Sequence, residues 1–265
     1  IGGNITYSRF WDWEQYKPRF SNSWDEYRNS IWHRVGYVNW GYEAIGRFQN
    51  WEQIANYPID NDRKGNRTVV PGDIMYKDQN NDGVINYLDE RPIGYRVDST
   101  PTLNFGINLS ASWKGFDLAM DWTGSGMTSW NQCYETARPF QNDGNSPDEV
   151  LKDAWHLSDI WDANSPLIPG KYPMIRLNTD ETSAYDKSSY WLHNVTYLKL
   201  RNLEVGYTFP KTWLNKTGIS NLRLFVSGTN LLTLSNLSVM DPECASDNGL
   251  DYPPMRVINI GVNLK

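Results

Sequence analysis

From Thr102 to Trp113, Leu103, Phe105, Ile107, Leu109, Ala111 and Trp113 alternate with Thr102, Asn104, Gly106, Asn108, Ser110 and Ser112. A period of two puts the two sets on opposite faces of a strand, whereas a helix would scatter them around its axis. Lys114-Gly115 interrupts the pattern. It restarts with Phe116, Leu118, Met120 and Trp122 on one side and Asp117, Ala119, Asp121 and Thr123 on the other, which predicts a tight β-hairpin. Between Thr196 and Tyr207 the apolar parity passes from Leu198 and Leu200 to Leu203, Val205 and Tyr207, so a β-bulge is expected at Arg201-Asn202. Leu222, Leu224 and Val226 form a further apolar face, Ile258, Ile260, Val262 and Leu264 the last, and a strand over Gly3 to Arg9 is expected at the other end.

The polar faces are mostly Asn, Ser, Thr and Gly rather than charged residues, which suits a water-filled lumen, while Phe105, Trp113, Phe116 and Trp122 are expected partly towards strand ends, as in an interfacial girdle. A soluble sandwich also alternates, and it stays open on pattern alone. Connection lengths separate the two. The links at Lys114-Gly115 and Pro210 to Ser220 are short; those over about Gly124 to Tyr190 and Leu232 to Met255 are long and rich in Asp, Asn, Ser and Pro. Strict alternation of short and long is the habit of outer-membrane barrels, with short periplasmic turns and long extracellular loops. The same parity puts Phe10 to Thr100 outside. The fold expected is all-β: the C-terminal strands of a large antiparallel transmembrane β-barrel with long extracellular loops. About six strands are counted, fewer than the roughly 8 of the smallest typical bacterial barrel, so they are not expected to close alone.

Composition excludes other classes. Apolar residues make up 39% of the 265, and no apolar run approaches the roughly 18 residues of a membrane helix. A net charge of -6 without clustered Lys or Arg argues against nucleic acid as a partner. Cys133 and Cys244 have no ligand spacing and are read as free thiols, with a disulfide as the alternative in an oxidising compartment. The chain opens Ile1-Gly2-Gly3-Asn4 without the features of a signal peptide, so it reads as a fragment whose export signal is expected elsewhere.

Asp78 to Asp89 fits the calcium-loop pattern of about twelve residues. Side-chain oxygens fall at the liganding positions from Asp78, Asn80, Asp82, Asn86 and Asp89, the Val84 carbonyl supplies another, and Gly83 sits at the sharp turn. Asp replaces the usual terminal Glu, and neither flank is an amphipathic helix, so the loop is expected to hold Ca²⁺ or Mg²⁺ as a stiffening ion; an Asn/Asp-Gly turn without metal is the alternative. No catalytic constellation appears: His33, His156 and His193 share no ligand spacing, and the chain is not expected to be an enzyme. Six tryptophans (Trp11, Trp13, Trp24, Trp32, Trp40 and Trp51) crowd the first outer segment, and Trp130, Trp155 and Trp161 the second. Such rings either stack on a substrate or partner or pack the loops into a rigid cap; Trp130, Trp155 and Trp161 are taken as candidate contacts.

Several segments resemble the SusC/RagA-like TonB-dependent outer-membrane transporters. They are Gly41-Tyr42-Glu43-Ala44-Ile45-Gly46-Arg47-Phe48-Gln49, Pro71-Gly72-Asp73-Ile74-Met75-Tyr76-Lys77-Asp78 running through the acidic loop to Arg91-Pro92-Ile93-Gly94, and Pro101 to Gly115 with Phe116-Asp117-Leu118. Tyr197-Leu198-Lys199-Leu200-Arg201-Asn202-Leu203, Gly206-Tyr207-Thr208-Phe209-Pro210 and Val226-Ser227-Gly228-Thr229-Asn230-Leu231 follow in matching order. The family's usual terminal aromatic does not follow Leu264-Lys265. The resemblance implies a location in the bacterial outer membrane, in contact with its lipid, and nutrient import of glycan or peptide. It further implies a SusD-like surface lipoprotein as partner and TonB-ExbB-ExbD acting through an N-terminal part with a plug domain that this chain does not contain. On that reading residues 1–265 are the C-terminal part of a barrel of about 22 strands, with an extracellular loop region at about 11–100, an EF-hand-like loop at 78–89 and closing strands at about 101–265. The other reading is a secreted, calcium-stabilised, carbohydrate-binding β-sandwich; an adhesin barrel without transport is a third.

Overall fold

The structure, a computed structural model, describes residues 1–95, 101–177, 181–215, 218–244, 248–249 and 251–265. Six strands form one sheet: β1 (Gly2–Tyr7), β2 (Leu103–Trp113), β3 (Phe116–Asn131), β4 (Leu192–Thr208), β5 (Leu222–Ser235) and β6 (Val257–Leu264). Each pairs antiparallel with the next in the chain, giving the order β1-β2-β3-β4-β5-β6. The sheet is open, so the expected barrel is not closed by this chain. Among the described residues no helix is long and apolar enough to cross a membrane.

Register assigns every side chain to a face. Ile5 lies opposite Phe105, Ile107 opposite Trp122, Leu118 opposite Val205, and Val205 opposite Val226, which faces Ile260. All these residues therefore share one face. On the other, Asn108 meets Asp121, Asp121 meets Asn202, Glu204 meets Ser227 and Ser227 meets Asn259. The bulge expected at Arg201-Asn202 is present as a register shift between Leu200 and Asn202 in both pairings of β4. It keeps the apolar face continuous across the parity change and leaves Lys199, Arg201, Asn202 and Glu204 together on the polar face. The β2–β3 turn uses Lys114 (φ 49°) and Gly115 (φ 92°), the double positive φ of a hairpin turn that follows strand twist. A Cβ at Gly115 would also come within 2.8 Å of the Thr208 carbonyl.

The apolar face has no second layer on it. Ile5, Tyr7, Ile107, Val205, Leu224, Val226, Leu232, Leu234, Ile258, Val262 and Leu264 are exposed, and Ile260 keeps 83% of its surface. A sandwich would seal these residues against another sheet, so that reading is set aside. The turn end carries a tight aromatic group: Phe116 and Tyr207 have ring centroids 4.6 Å apart, and Phe209 continues it to Trp213. Trp113 belongs to this end and Phe105 lies near the other end of β2, but Trp122 lies inside β3, which corrects the expectation for that residue.

Three boundaries also differ. β3 does not stop at Thr123 but runs to Asn131, and β4 begins at Leu192, so the second long link spans 132–191. Gly124-Ser125-Gly126-Met127-Thr128-Ser129 has no alternation to read, and its strand is imposed by pairing with β4. β1 ends at Tyr7 rather than Arg9.

The packed core lies outside the lower sheet. Tyr42, Ile74, Tyr76 and Ile85 from the first long link and Ala137, Val150, Ala154, Tyr172, Ala184, Tyr185 and Trp191 from the second form one buried cluster. Phe48, Ile54 and Val69 form a smaller one. The two links thus fold as a single cap. It seats on the upper sheet, where Tyr95 N donates to Ser129 Oγ at 2.8 Å.

Candidate functional site

The acidic loop starts where a short strand, Ile74–Tyr76, leaves the cap core, and it ends in a single turn of 3-10 helix, Tyr87–Asp89. Asp78 turns the chain by accepting from Asn81 N at 2.7 Å and Gly83 N at 2.8 Å. Gly83 takes φ 85°, where a side chain would be strained. Asp82 accepts from Val84 N at 2.9 Å and from the Asn80 and Asn86 amides at 2.9 and 3.3 Å. These bonds, the Val84 N–H first, hold its carboxyl below the usual carboxylate range. Asp89 is fully buried, accepting from Gln79 N at 2.8 Å and Asn86 N at 2.9 Å, so it closes the loop across its base.

The sequence-selected residues therefore converge. One carboxylate oxygen from each of Asp78, Asp82 and Asp89 lies within 4.8 Å of the others. The Asn86 amide joins Asp82 to the Val84 carbonyl at 3.2 Å, and Asn80 lies on the same side. Three carboxylates this close repel one another, and every donor that offsets the repulsion comes from a backbone N–H or a neutral amide. The oxygen-only donor set suits a hard cation such as Ca²⁺. The loop is tied to the cap by Asp60 N donating to the Gly83 carbonyl (2.8 Å) and Ile85 N to the Asp60 carbonyl (2.9 Å).

The tryptophans divide. Trp130 and Trp155 are each only 4% exposed. Trp130 stacks on His193 with centroids 5.7 Å apart, and Trp155 packs on Gly72 beneath the Arg47 guanidinium. They build the structure rather than present a contact face, which corrects the expectation for both; Trp161, 90% exposed, stays available. Of the first segment's six, Trp40 is buried against Tyr27 and Arg28, while Trp11, Trp13, Trp32 and Trp51 are exposed.

Spacing did not flag the residues that hold the cap together. Arg47 donates to the carbonyls of Gly72 (2.7 and 2.9 Å), Gly170 (2.6 Å) and Lys171 (2.6 Å), joining both links. Asp73, buried, pairs with Arg176 at 2.5 Å, and burial pushes its carboxyl up despite that cation. Asn61 donates to the carbonyl of Ile74 and the hydroxyl of Ser183. The one signal available was Arg47 and Asp73 standing within otherwise apolar segments.

An antiparallel wall, aliphatic on one face and hydrophilic on the other, with long links on one side and short turns on the other, is the arrangement of an outer-membrane-type β-barrel segment. No family model matches the chain. It is 30% identical over 242 residues to TonB-dependent receptor P3 of Formosa agariphila, covering 84% of this chain and 22% of the receptor. It is 24% identical over 251 residues to TonB-dependent receptor SusC of Bacteroides thetaiotaomicron, covering 88% and 20%. The solved structure of the RagAB peptide transporter matches with a TM-score of 0.56 at 21% identity, covering 88% of this chain and 23% of that one. The chain is similar to a segment of TonB-dependent receptors, SusC among them, shares the fold of part of the RagAB transporter, and spans about a fifth of the length of the receptors it matches. These relatives are named as receptors and transporters, not enzymes.

Proposed function

We propose that the six strands are part of the wall of an outer-membrane, TonB-dependent nutrient importer, working with a SusD-like surface lipoprotein and energised by TonB-ExbB-ExbD through other parts of the protein. The observation carrying this reading is the uncovered aliphatic face of β1 to β6 behind a hydrophilic face. In water that face would be a large aggregation hazard; in lipid it is solvated, and the hydrophilic face lines the passage. Strands of about 9–11 residues span a bilayer. β3 and β4, with 16 and 17 residues, reach beyond it to carry the cap on the outer side.

The cargo class is glycan or peptide, and Trp161 is the contact candidate that its exposure favours. Asp78, Asn80, Asp82, Val84, Asn86 and Asp89 hold Ca²⁺, or Mg²⁺, as a structural ion that stiffens the cap. The deciding experiment follows the full-length protein in its own cell. It is expected in the detergent-extracted outer membrane, with uptake lost on deletion of tonB; a soluble secreted product would end the reading. For the ion, isothermal titration of the purified protein should show Ca²⁺ binding that disappears in Asp78→Ala, and no heat in the unaltered protein would remove it.

A further inference from the structure

β5 has 14 residues and β6 only 8, so the last pairing, Thr229 with Val257, leaves the upper part of β5 without a partner on that side. The connecting link does not continue upward. Asp241 and Glu243 instead reach the polar face of β4, where both Asp241 oxygens accept from Lys199 Nζ at 3.0 and 2.9 Å. Glu243 accepts from the same Nζ at 2.8 Å, from Arg201 Nη1 at 3.0 Å and from the Tyr197 hydroxyl at 3.3 Å. Lys199 is 1% exposed although it stands on the hydrophilic face, opposite Thr123 and Thr233, so the link itself covers it. Asn230 Nδ2 also donates to the Met255 carbonyl at 3.1 Å, and a Cβ at Gly249 would meet Thr136 Cγ2 at 2.6 Å, so Gly249 lies against the segment after β3.

We infer that residues 236–244, which follow β5, form a strap folded onto the hydrophilic wall and latched there by charge, Lys199 and Arg201 holding Asp241 and Glu243. The inference rests on the reading of that face as the lining of a passage, which the strap narrows. The bulge at Arg201-Asn202 is part of the device, because it gathers Lys199, Arg201 and Asn202 on one face while Leu200 and Leu203 stay on the other. Leu237, Val239 and Met240 are half-buried and Ser238 is exposed, whereas the latch reaches a fully buried ammonium. An ion pair of this kind that loses one side leaves the other stranded. Such a strap swings out to water when the charges on either side are removed.

Cys244 lies next to the latch and is a native reporter. The test uses the full-length protein with Cys133→Ser, assembled in the outer membrane, and follows the labelling of Cys244 by a membrane-impermeant maleimide. Asp241→Asn with Glu243→Gln neutralises the strap without touching the wall, and Lys199→Met with Arg201→Met neutralises the wall. Each pair is expected to label at least about tenfold faster than the parent, the measure of a local opening made easier by the loss of charge-assisted bonds. An unchanged rate in Asp241→Asn with Glu243→Gln, in protein that still shows the heat-modifiable mobility of a folded barrel, overturns the latch, and that pair decides alone if the wall variant does not assemble. Faster labelling in protein that still unfolds cooperatively but does not fractionate with the outer membrane supports the latch and overturns the passage.

Discussion

In the cap, Tyr76, Trp191, Tyr172 and Phe48 are fully buried. The Tyr76 hydroxyl donates to the Ser183 carbonyl at 2.7 Å and Trp191 Nε1 to the Ala184 carbonyl at 2.8 Å. In the sheet, Ile5, Val226, Ile260 and Val262 turn outward with nothing on them. On the function proposed, the same apolar chemistry is thus used in two solvents. The cap is stabilised as a water-soluble domain is, by removing apolar surface from water. The sheet gains nothing of that kind from its own packing and, on the function proposed, relies on backbone pairing plus lipid. A change that ruins one region should spare the other.

The largest effect is expected from Trp191→Ala. It opens a cavity between Tyr172, Tyr185 and Tyr190, whose rings lie 4.8–6.1 Å from it, and should cost the cap about 3–5 kcal/mol. Protease digestion of intact cells should then cut the cap rapidly while the barrel keeps its heat-modifiable mobility. If the barrel is lost with the cap, the two regions are one cooperative unit. Next is a paired substitution on β5. Val226→Arg places a charge in the apolar face and should cost about 2–4 kcal/mol if that position sits near the membrane midplane. Ser227→Arg, one residue on and facing Glu204, should cost well under half as much. Equal assembly yields for the two variants would refute the facial assignment. A smaller effect is expected from Gly83→Ala, about 1–2 kcal/mol, since φ 85° disfavours a side chain and nothing lies within 4 Å of the added Cβ. Its readout is weaker Ca²⁺ binding with an unchanged sheet.

The contrast also explains what could be read from the sequence. The sheet was legible because alternation is local: Leu103 to Trp113 declares its faces without reference to anything distant, and the bulge at Arg201-Asn202 appeared as a change of parity. The acidic loop was legible for the same reason, since the six residues whose oxygens were expected to converge lie within one short stretch. The cap was not, because its bonds join residues far apart in the chain, such as Asn61 to Ser183 and Arg47 to Gly170. Trp130 and Trp155 illustrate the cost. A tryptophan in a polar segment suggests an exposed binding face, and only the tertiary fold reveals Gly72 beneath Trp155 and His193 against Trp130. The upper half of β3 was missed because its small residues are covered by the cap and have no solvent face to mark.

The smallest expected effect concerns acid, and it separates two kinds of carboxylate inside the cap. Asp62 is partly desolvated, which alone would raise its pKa, but Thr68 N and Oγ, Lys64 N and Asn66 N all donate to it and hold it down to about 2 from 3.8. A folded-state value below the unfolded one means that the contribution is complete above about pH 4 and is lost as the pH falls through about 2. Asp73 and Asp186 go the other way, raised chiefly by burial despite Arg176 and Arg63, so the folded cap binds their protons more readily than the unfolded chain does and gains relative stability as acid is added. The two trends oppose each other, and a single acid-unfolding curve would hide both. Asp62→Asn isolates one of them. At pH 7 it should weaken the cap by about 1 kcal/mol, and between pH 4 and 2 the gap from the parent should shrink as the parent loses what the variant never had. The sheet, with none of these groups on it, should show no such convergence when its assembly is followed over the same range. A gap that widens on acidification would mean that Asp62 is not held down by its four donors.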